Sequence, residues 1–243
     1  MKTNWLRSFA KMLIAAGLLS PAAAHAASYD TNLVVNPSFE NVDGSGFAAD
    51  WTGSVDTYAY SQNYTGPAPA GAGQRYWFGG AGVSGQMSSI SATQAPIDLS
   101  ANAAEINAGR VTYDLSAFFS SYRLQGDYSV VSASFRDAAN VPLTEASVGG
   151  QALIASLPVV DNGVYLDARG WASDAVSGLV PPGTDHVILE IVATKVPEGA
   201  VVDGYTDLVD FQIHLNPIPE PSTLALAAVG GLGLAAWRFR KRR

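Results

Sequence analysis

The 243-residue chain contains no cysteine, which excludes disulfide staples, thiolate metal sites and cysteine nucleophiles and leaves stability to packing. Histidine is scarce too, with His25, His186 and His214 only. Basic residues are few in the middle of the chain, because eight of the 14 Lys and Arg lie in the two end segments. That leaves Arg75, Arg110, Arg123, Arg136, Arg169 and Lys195 against twenty acidic residues, a formal charge of −14 for the central region. Such a surface repels phosphate backbones, so nucleic acid is not an expected partner. No HExxH, GxSxG or P-loop motif is present, so no catalytic residue is assigned and the chain reads as a non-enzyme. A glycan-active hydrolase stays open as a remote alternative, because its carboxylate pair is defined by a spatial separation of about 5–10 Å and the chain has fifteen aspartates.

What is present at the ends is an address. Residues 1–26 open with Lys2, Arg7 and Lys11, continue through a short apolar stretch and close on Ala24-His25-Ala26. A charged start, an apolar middle and an A-x-A site predict a secretory signal peptide cleaved after Ala26. At the other end, residues 217–243 carry Pro219-Glu220-Pro221, then an uncharged apolar run from Leu224 to Trp237, then Arg238, Arg240, Lys241, Arg242 and Arg243. The prolines hold the entry extended, the apolar run predicts a single transmembrane helix, and the basic tail resists translocation. The run is a little short of the ~20 residues that span hydrocarbon untilted, which Trp237 at the interface and snorkelling arginines can offset.

This tail resembles the PEP-CTERM sorting signal of exported bacterial proteins, in which motif, helix and basic cluster occur in the same order. The resemblance implies an exosortase-type sorting enzyme as partner, anchoring in the inner membrane before processing, and delivery to the cell surface or extracellular matrix, where exopolysaccharide and biofilm material are the surroundings.

Between the two signals, residues 27–216 form one expected domain. Period-two alternation marks strands at residues 55–60, 111–119, 128–136 and 207–215, with further strands at 32–35, 75–78 and 186–194. Residues 111–119 and 128–136 are expected to pair as antiparallel neighbours. One short helix is predicted at residues 101–108, stopped by Gly109. Residues 80–85 fit a GxGxxG pattern, but the following SISATQAP stretch is poor helix material, so a glycine-rich turn is expected. Short strands separated by Gly/Pro turns predict an all-β fold, an antiparallel β-sandwich of jelly-roll type. The pieces NPSFE, Trp51 and DGYTDLVDF resemble the frame of galactose-binding-like, jelly-roll carbohydrate-binding modules. That resemblance implies first and last strands lying side by side, with a structural calcium where they meet.

Three sets of candidate residues follow. Asp207 shares the parity of Val209, Phe211 and Ile213, where a buried carboxylate needs a partner, and Glu40 follows core-like Phe39; the pair is expected to hold the calcium, the alternative being a solvated Asp207 beyond the strand end. Sugar platforms require aromatic faces beside polar groups, and Tyr58 and Tyr60 share the face of Asp56. Tyr122 and Tyr128, flanking the loop tip at Gln125-Gly126, are the second choice. The expected function is an exported, non-catalytic surface protein binding exopolysaccharide, or a structural and adhesive matrix component binding proteins or cations.

Overall fold

The computed structural model describes residues 27–80, 89–196 and 201–217. The signal peptide, most of the GxGxxG segment and the sorting tail from residue 218 onward lie outside the described residues. Among the described residues no helix is long and apolar enough to cross a membrane.

The strands in chain order are β1 (Trp51–Gly53), β2 (Thr57–Ala59), β3 (Arg75–Phe78), β4 (Ser89–Gln94), β5 (Ile97–Asp98), β6 (Val111–Ser121), β7 (Tyr128–Arg136), β8 (Pro142–Gly149), β9 (Val159–Val160), β10 (Ala168–Arg169), β11 (Ala172–Leu179), β12 (His186–Thr194) and β13 (Gly204–Leu215). Two α-helices, α1 (Ala103–Asn107) and α2 (Gln151–Ser156), and two short 3-10 helices at Tyr60–Gln62 and Ser100–Asn102 complete the set among the described residues. A front sheet runs β1-β4-β12-β7-β8 with β5 beside β12, and a back sheet runs β11-β6-β13-β3-β2. All pairings are antiparallel, and β9 and β10 form a small separate ladder.

Alternating burial along β6, β7 and β12 builds the layer between the sheets. Val111, Leu115, Ala117 and Phe119 of β6 meet Val131, Ala133 and Phe135 of β7 and Val187, Leu189 and Ile191 of β12, all essentially inaccessible. Rings of Tyr113, Phe135 and Phe211 cross the interlayer at centroid separations of 4.8 to 6.3 Å. Thus β6 and β7 are not ladder partners. Each has a strongly apolar face, and the connection between them lets the chain change sheets so that those two faces bury each other. Gly109 ends the α1 region as expected, with a left-handed φ of 67°.

The N-terminal segment at residues 30–37 is not a regular strand, yet it runs beside β13. The amides of Asp30 and Leu33 donate to the carbonyls of Ile213 and Phe211, and the Val209 amide donates to Pro37. First and last segments therefore adjoin.

The last strand is interrupted in a way that the alternation concealed. Opposite β6, Asp207 faces Phe118 but Asp210 faces Ser116, so one extra residue is inserted, and Leu208 takes the left-handed φ of 50°. Beyond this bulge Val209, Phe211 and Ile213 point into the sandwich. Before it, Thr206 pairs with core-facing Trp77, whereas Tyr205 pairs with Phe78 on the outer surface of the back sheet. Asp207 consequently lies on the outer side with Tyr205, not on the core face with Val209.

Candidate functional site

The outer side of the back sheet carries a second apolar cluster. Tyr76 and Phe78 of β3 and Tyr205 of β13 are fully buried there, with Tyr58, Tyr60, Tyr64, Tyr122, Trp171 and Val201 packed around them. Tyr58 stacks on Phe78 at 3.9 Å and 15°. Its other neighbours are tilted or edge-on, with Tyr64 at 4.9 Å and Tyr205 at 6.3 Å, and Tyr64 in turn meets Tyr122 edge-on at 5.8 Å. Non-parallel rings leave a depression between them, a cleft of about 220 Å³ lined by Tyr58, Tyr64, Tyr122, Gln125, Val201, Asp203 and Tyr205.

Two loops roof this cluster. The Asn162 side-chain amide donates to the carbonyls of Asn63 and Thr65, and the Trp171 indole N–H donates to the Thr65 hydroxyl at 3.1 Å. Gly66 sits where the loops touch, and a Cβ there would fall 2.7 Å from Val160. Tyr122 is fixed by its neighbour Arg123, whose guanidinium makes a two-pronged pair with Asp167 at 2.7 and 2.9 Å and lies over the rings of Tyr122 and Tyr165.

One carboxylate, Asp203, lines the cleft, and a second, Asp127, is buried behind it. Asp203 is 8% exposed, accepts the Tyr205 hydroxyl at 3.1 Å, and is pushed up to about 6 by burial, with the nearby Asp127 charge adding to the push. Asp127 is fully buried and accepts the backbone amides of Val196 and Asp203 at 2.8 and 2.9 Å. Burial raises its affinity for a proton, and those two amides and Lys195 oppose the shift. Tyr58 is pushed up to about 12, chiefly by burial, so its hydroxyl stays protonated.

Asp207 lies at the far side of the cluster, wholly buried. Its Oδ2 accepts the Tyr60 hydroxyl at 2.6 Å and its Oδ1 the Leu208 amide at 2.7 Å. Burial pushes it up to about 7, with the charge of Glu40 contributing. Exposed Glu40 accepts the amides of Gln74 and Arg75 through Oε1. Both are hard oxygen donors, and among the described residues neither forms an ion pair, so Glu40 and Asp207 suit a calcium ion in chemistry. Among the described residues no cluster of three or more histidine or acidic side chains is present, so backbone carbonyls would have to complete the shell.

Of the four aromatic candidates, Tyr58, Tyr60 and Tyr122 meet in this one cluster. Tyr128 does not; it packs against the inner core. Trp51 and Trp77 are likewise core residues, 5% and 0% exposed. Gln125 belongs to the loop tip expected as the second choice, whereas Tyr205 and Asp203 were not among the expected site residues. The D-x-Y-x-D spacing at 203, 205 and 207 was the available signal, since alternate positions share one side of an extended chain.

The remaining functional signal is the linear order at the C-terminus, proline-glutamate-proline before the apolar run and basic tail. Residues 217–243 match the PEP-CTERM protein-sorting motif. A PEP-CTERM tail marks an exported protein sorted to the cell surface, and it is recognised by exosortase-type enzymes. No curated protein matches this chain in sequence. Solved structures similar to it include the CBM22-1 xylan-binding domain of Paenibacillus barcinonensis Xyn10C, with 15% identity over 79% of this chain and 99% of that one and a TM-score of 0.42. A Stig cyclase from Fischerella sp. TAU has 11% identity over 78% and 100% and a TM-score of 0.48. The enzymatically active domain of bacteriophage CBA120 tailspike protein 4 has 16% identity over 75% and 21% and a TM-score of 0.46. Likeness at this level carries no inference about ligand or activity.

Proposed function

We propose that this PEP-CTERM protein is a non-catalytic, jelly-roll carbohydrate-binding component of the cell surface or extracellular matrix, anchored through its C-terminal segment until it is processed. The observation that carries the binding reading is the cleft of Tyr58, Tyr64 and Tyr122, where aromatic faces stand beside the polar groups of Gln125 and Asp203. Pyranose rings present C–H faces to aromatic platforms and hydroxyls to polar side chains, and that combination is what the cleft offers.

Affinity electrophoresis of the full chain through gels containing the host's exopolysaccharide tests this reading. Retardation that is lost in Tyr58→Ala is the expected result, and mobility unaffected by any polysaccharide overturns it. The proposal includes a structural calcium at Glu40 and Asp207, which would offset the two carboxylate charges and tie the first segment to the last strand. Chelation by EDTA is expected to lower the melting temperature, and an unchanged temperature removes the metal from the account.

A further inference from the structure

The polar chemistry of the cleft is one-sided. Gln125 Oε1 is buried at its wall without a hydrogen-bond partner among the described residues. Tyr76 Oη, outside the lining of the cleft, is also fully buried and without a hydrogen-bond partner among the described residues, within electrostatic reach of Tyr58, Tyr64 and Asp203. Asp203 adds a carboxylate with Asp127 behind it, and among the described residues neither Lys nor Arg forms an ion pair with Asp203. Arg123, the nearby guanidinium, is committed to Asp167, and Lys195 acts on Asp127. The groups left over can all accept hydrogen bonds, and the charge is negative.

We propose that the cleft binds the protonated amino group of an amino sugar, with the ammonium facing Asp203 and the pyranose ring against Tyr58, Tyr64 and Tyr122. This rests on the carbohydrate reading of the same cleft and names its ligand class. An ammonium presents three N–H donors and no acceptor, which suits Asp203 and Gln125 Oε1. Three mutually inclined tyrosine rings supply negative π faces around a cation, as in aromatic cages for organic ammonium groups. A neutral sugar would leave the desolvated Asp203 charge uncompensated, whereas a cation offsets it. The cleft's 220 Å³ is below the ~300–1,000 Å³ usual for drug-sized ligands, so it accommodates a single sugar unit and not a run of them.

Isothermal titration of the full-length protein with a β-1,4-linked glucosamine tetramer and with its N-acetylated counterpart, at near-neutral pH where Asp203 is ionised and a share of the amines is protonated, provides the test. The amino form is expected to bind roughly tenfold more tightly, the size of one desolvated cation–aromatic and carboxylate contact. Asp203→Asn keeps an acceptor for the Tyr205 hydroxyl and should erase that preference, while Asp50→Asn, an exposed charge outside the cleft, should leave it intact. The wild-type protein gives a second readout independent of any variant, because the preference must shrink as salt is raised. Equal affinity for the two oligosaccharides, a preference that survives Asp203→Asn, or one indifferent to salt overturns the amino-sugar assignment. If both forms then bind and Tyr58→Ala abolishes both, the carbohydrate reading stands without it; if neither binds, both fall.

Discussion

Two apolar clusters occupy opposite faces of the same back sheet, and they are made of different material. The inner one is aliphatic and phenylalanine-rich, and its few polar members are satisfied, as where Ser129 bonds the Tyr205 carbonyl and the Thr206 hydroxyl. The outer one is built of tyrosines and a tryptophan over buried aspartates, and it retains unpartnered polar atoms. A cluster of the first kind gains stability from every contact. One of the second kind gives some of that up, because each tyrosine brings a hydroxyl that must be bonded or left wanting. The inner layer holds the domain together, and the proposed binding role falls to the outer layer.

The sharpest way to break this division is in the inner layer. Phe135→Ala removes a fully buried ring between Tyr113 and Phe211 and is expected to cost about 3–5 kcal/mol, read as a lowered urea midpoint. Oligosaccharide affinity of the folded fraction should be unaltered. If affinity falls as steeply as stability, the two clusters are not separate in function.

In the outer layer, Tyr60→Phe deletes the hydroxyl that Asp207 accepts at 2.6 Å and leaves a buried carboxylate oxygen bare, at a cost of about 1–3 kcal/mol. That bond favours the ionised carboxylate, so in metal-free protein the loss should be greater at alkaline than at acidic pH. Equal losses at both would show that the hydroxyl does not see the charge.

Protonation separates the clusters further, since only the outer one holds buried carboxylates. The folded protein holds the proton of Asp203 up to about pH 6 against an ordinary value of 3.8. Stability from this group is therefore fully present below the ordinary value and is lost as pH rises through about 6. A melting temperature that declines over that window, and a shallower decline in Asp203→Asn, are the expected observations. The smallest effect belongs to His214, which contacts Asp30 at 2.6 Å and Asp114 at 3.0 Å, joining the first segment to β13 and β6. Its hydrogen bond to Asp30 raises its proton affinity, so its contribution is present below the ordinary 6.5 and fades as pH rises through the higher folded value. His214→Gln should flatten the pH profile slightly at its neutral end, and an unchanged profile would remove His214 from it.

The inner layer was legible in the sequence and the outer one was not, for a physical reason. Period-two alternation identified the buried members of β6 and β7 and the Val209, Phe211 and Ile213 face of β13, because one burial surface imposes one repeat. Alternation says nothing about which sheet a strand joins, so β6 and β7 were expected to pair and instead face each other. It also cannot survive an inserted residue, and Leu208 placed Asp207 on the opposite side from the one its parity predicted. Tyr58, Tyr60 and Tyr122 were recognisable as a type of residue; their meeting with Tyr64, Asp203 and Tyr205 depends on β2, β3 and β13 lying side by side, which no local pattern encodes.

The bulge at Leu208 has a consequence for how such a domain can diversify. Upstream of it, Asp203, Tyr205 and Asp207 face outward; downstream, the same strand holds the fold. If the outer cluster binds as proposed, substitutions in the first half change what it recognises while the second half is constrained by the core, although both are stretches of one continuous ladder. A single-residue insertion or deletion at this point is then a different class of event from a substitution, since it would exchange what the strand turns toward the outer aromatic cluster for what it turns into the sandwich.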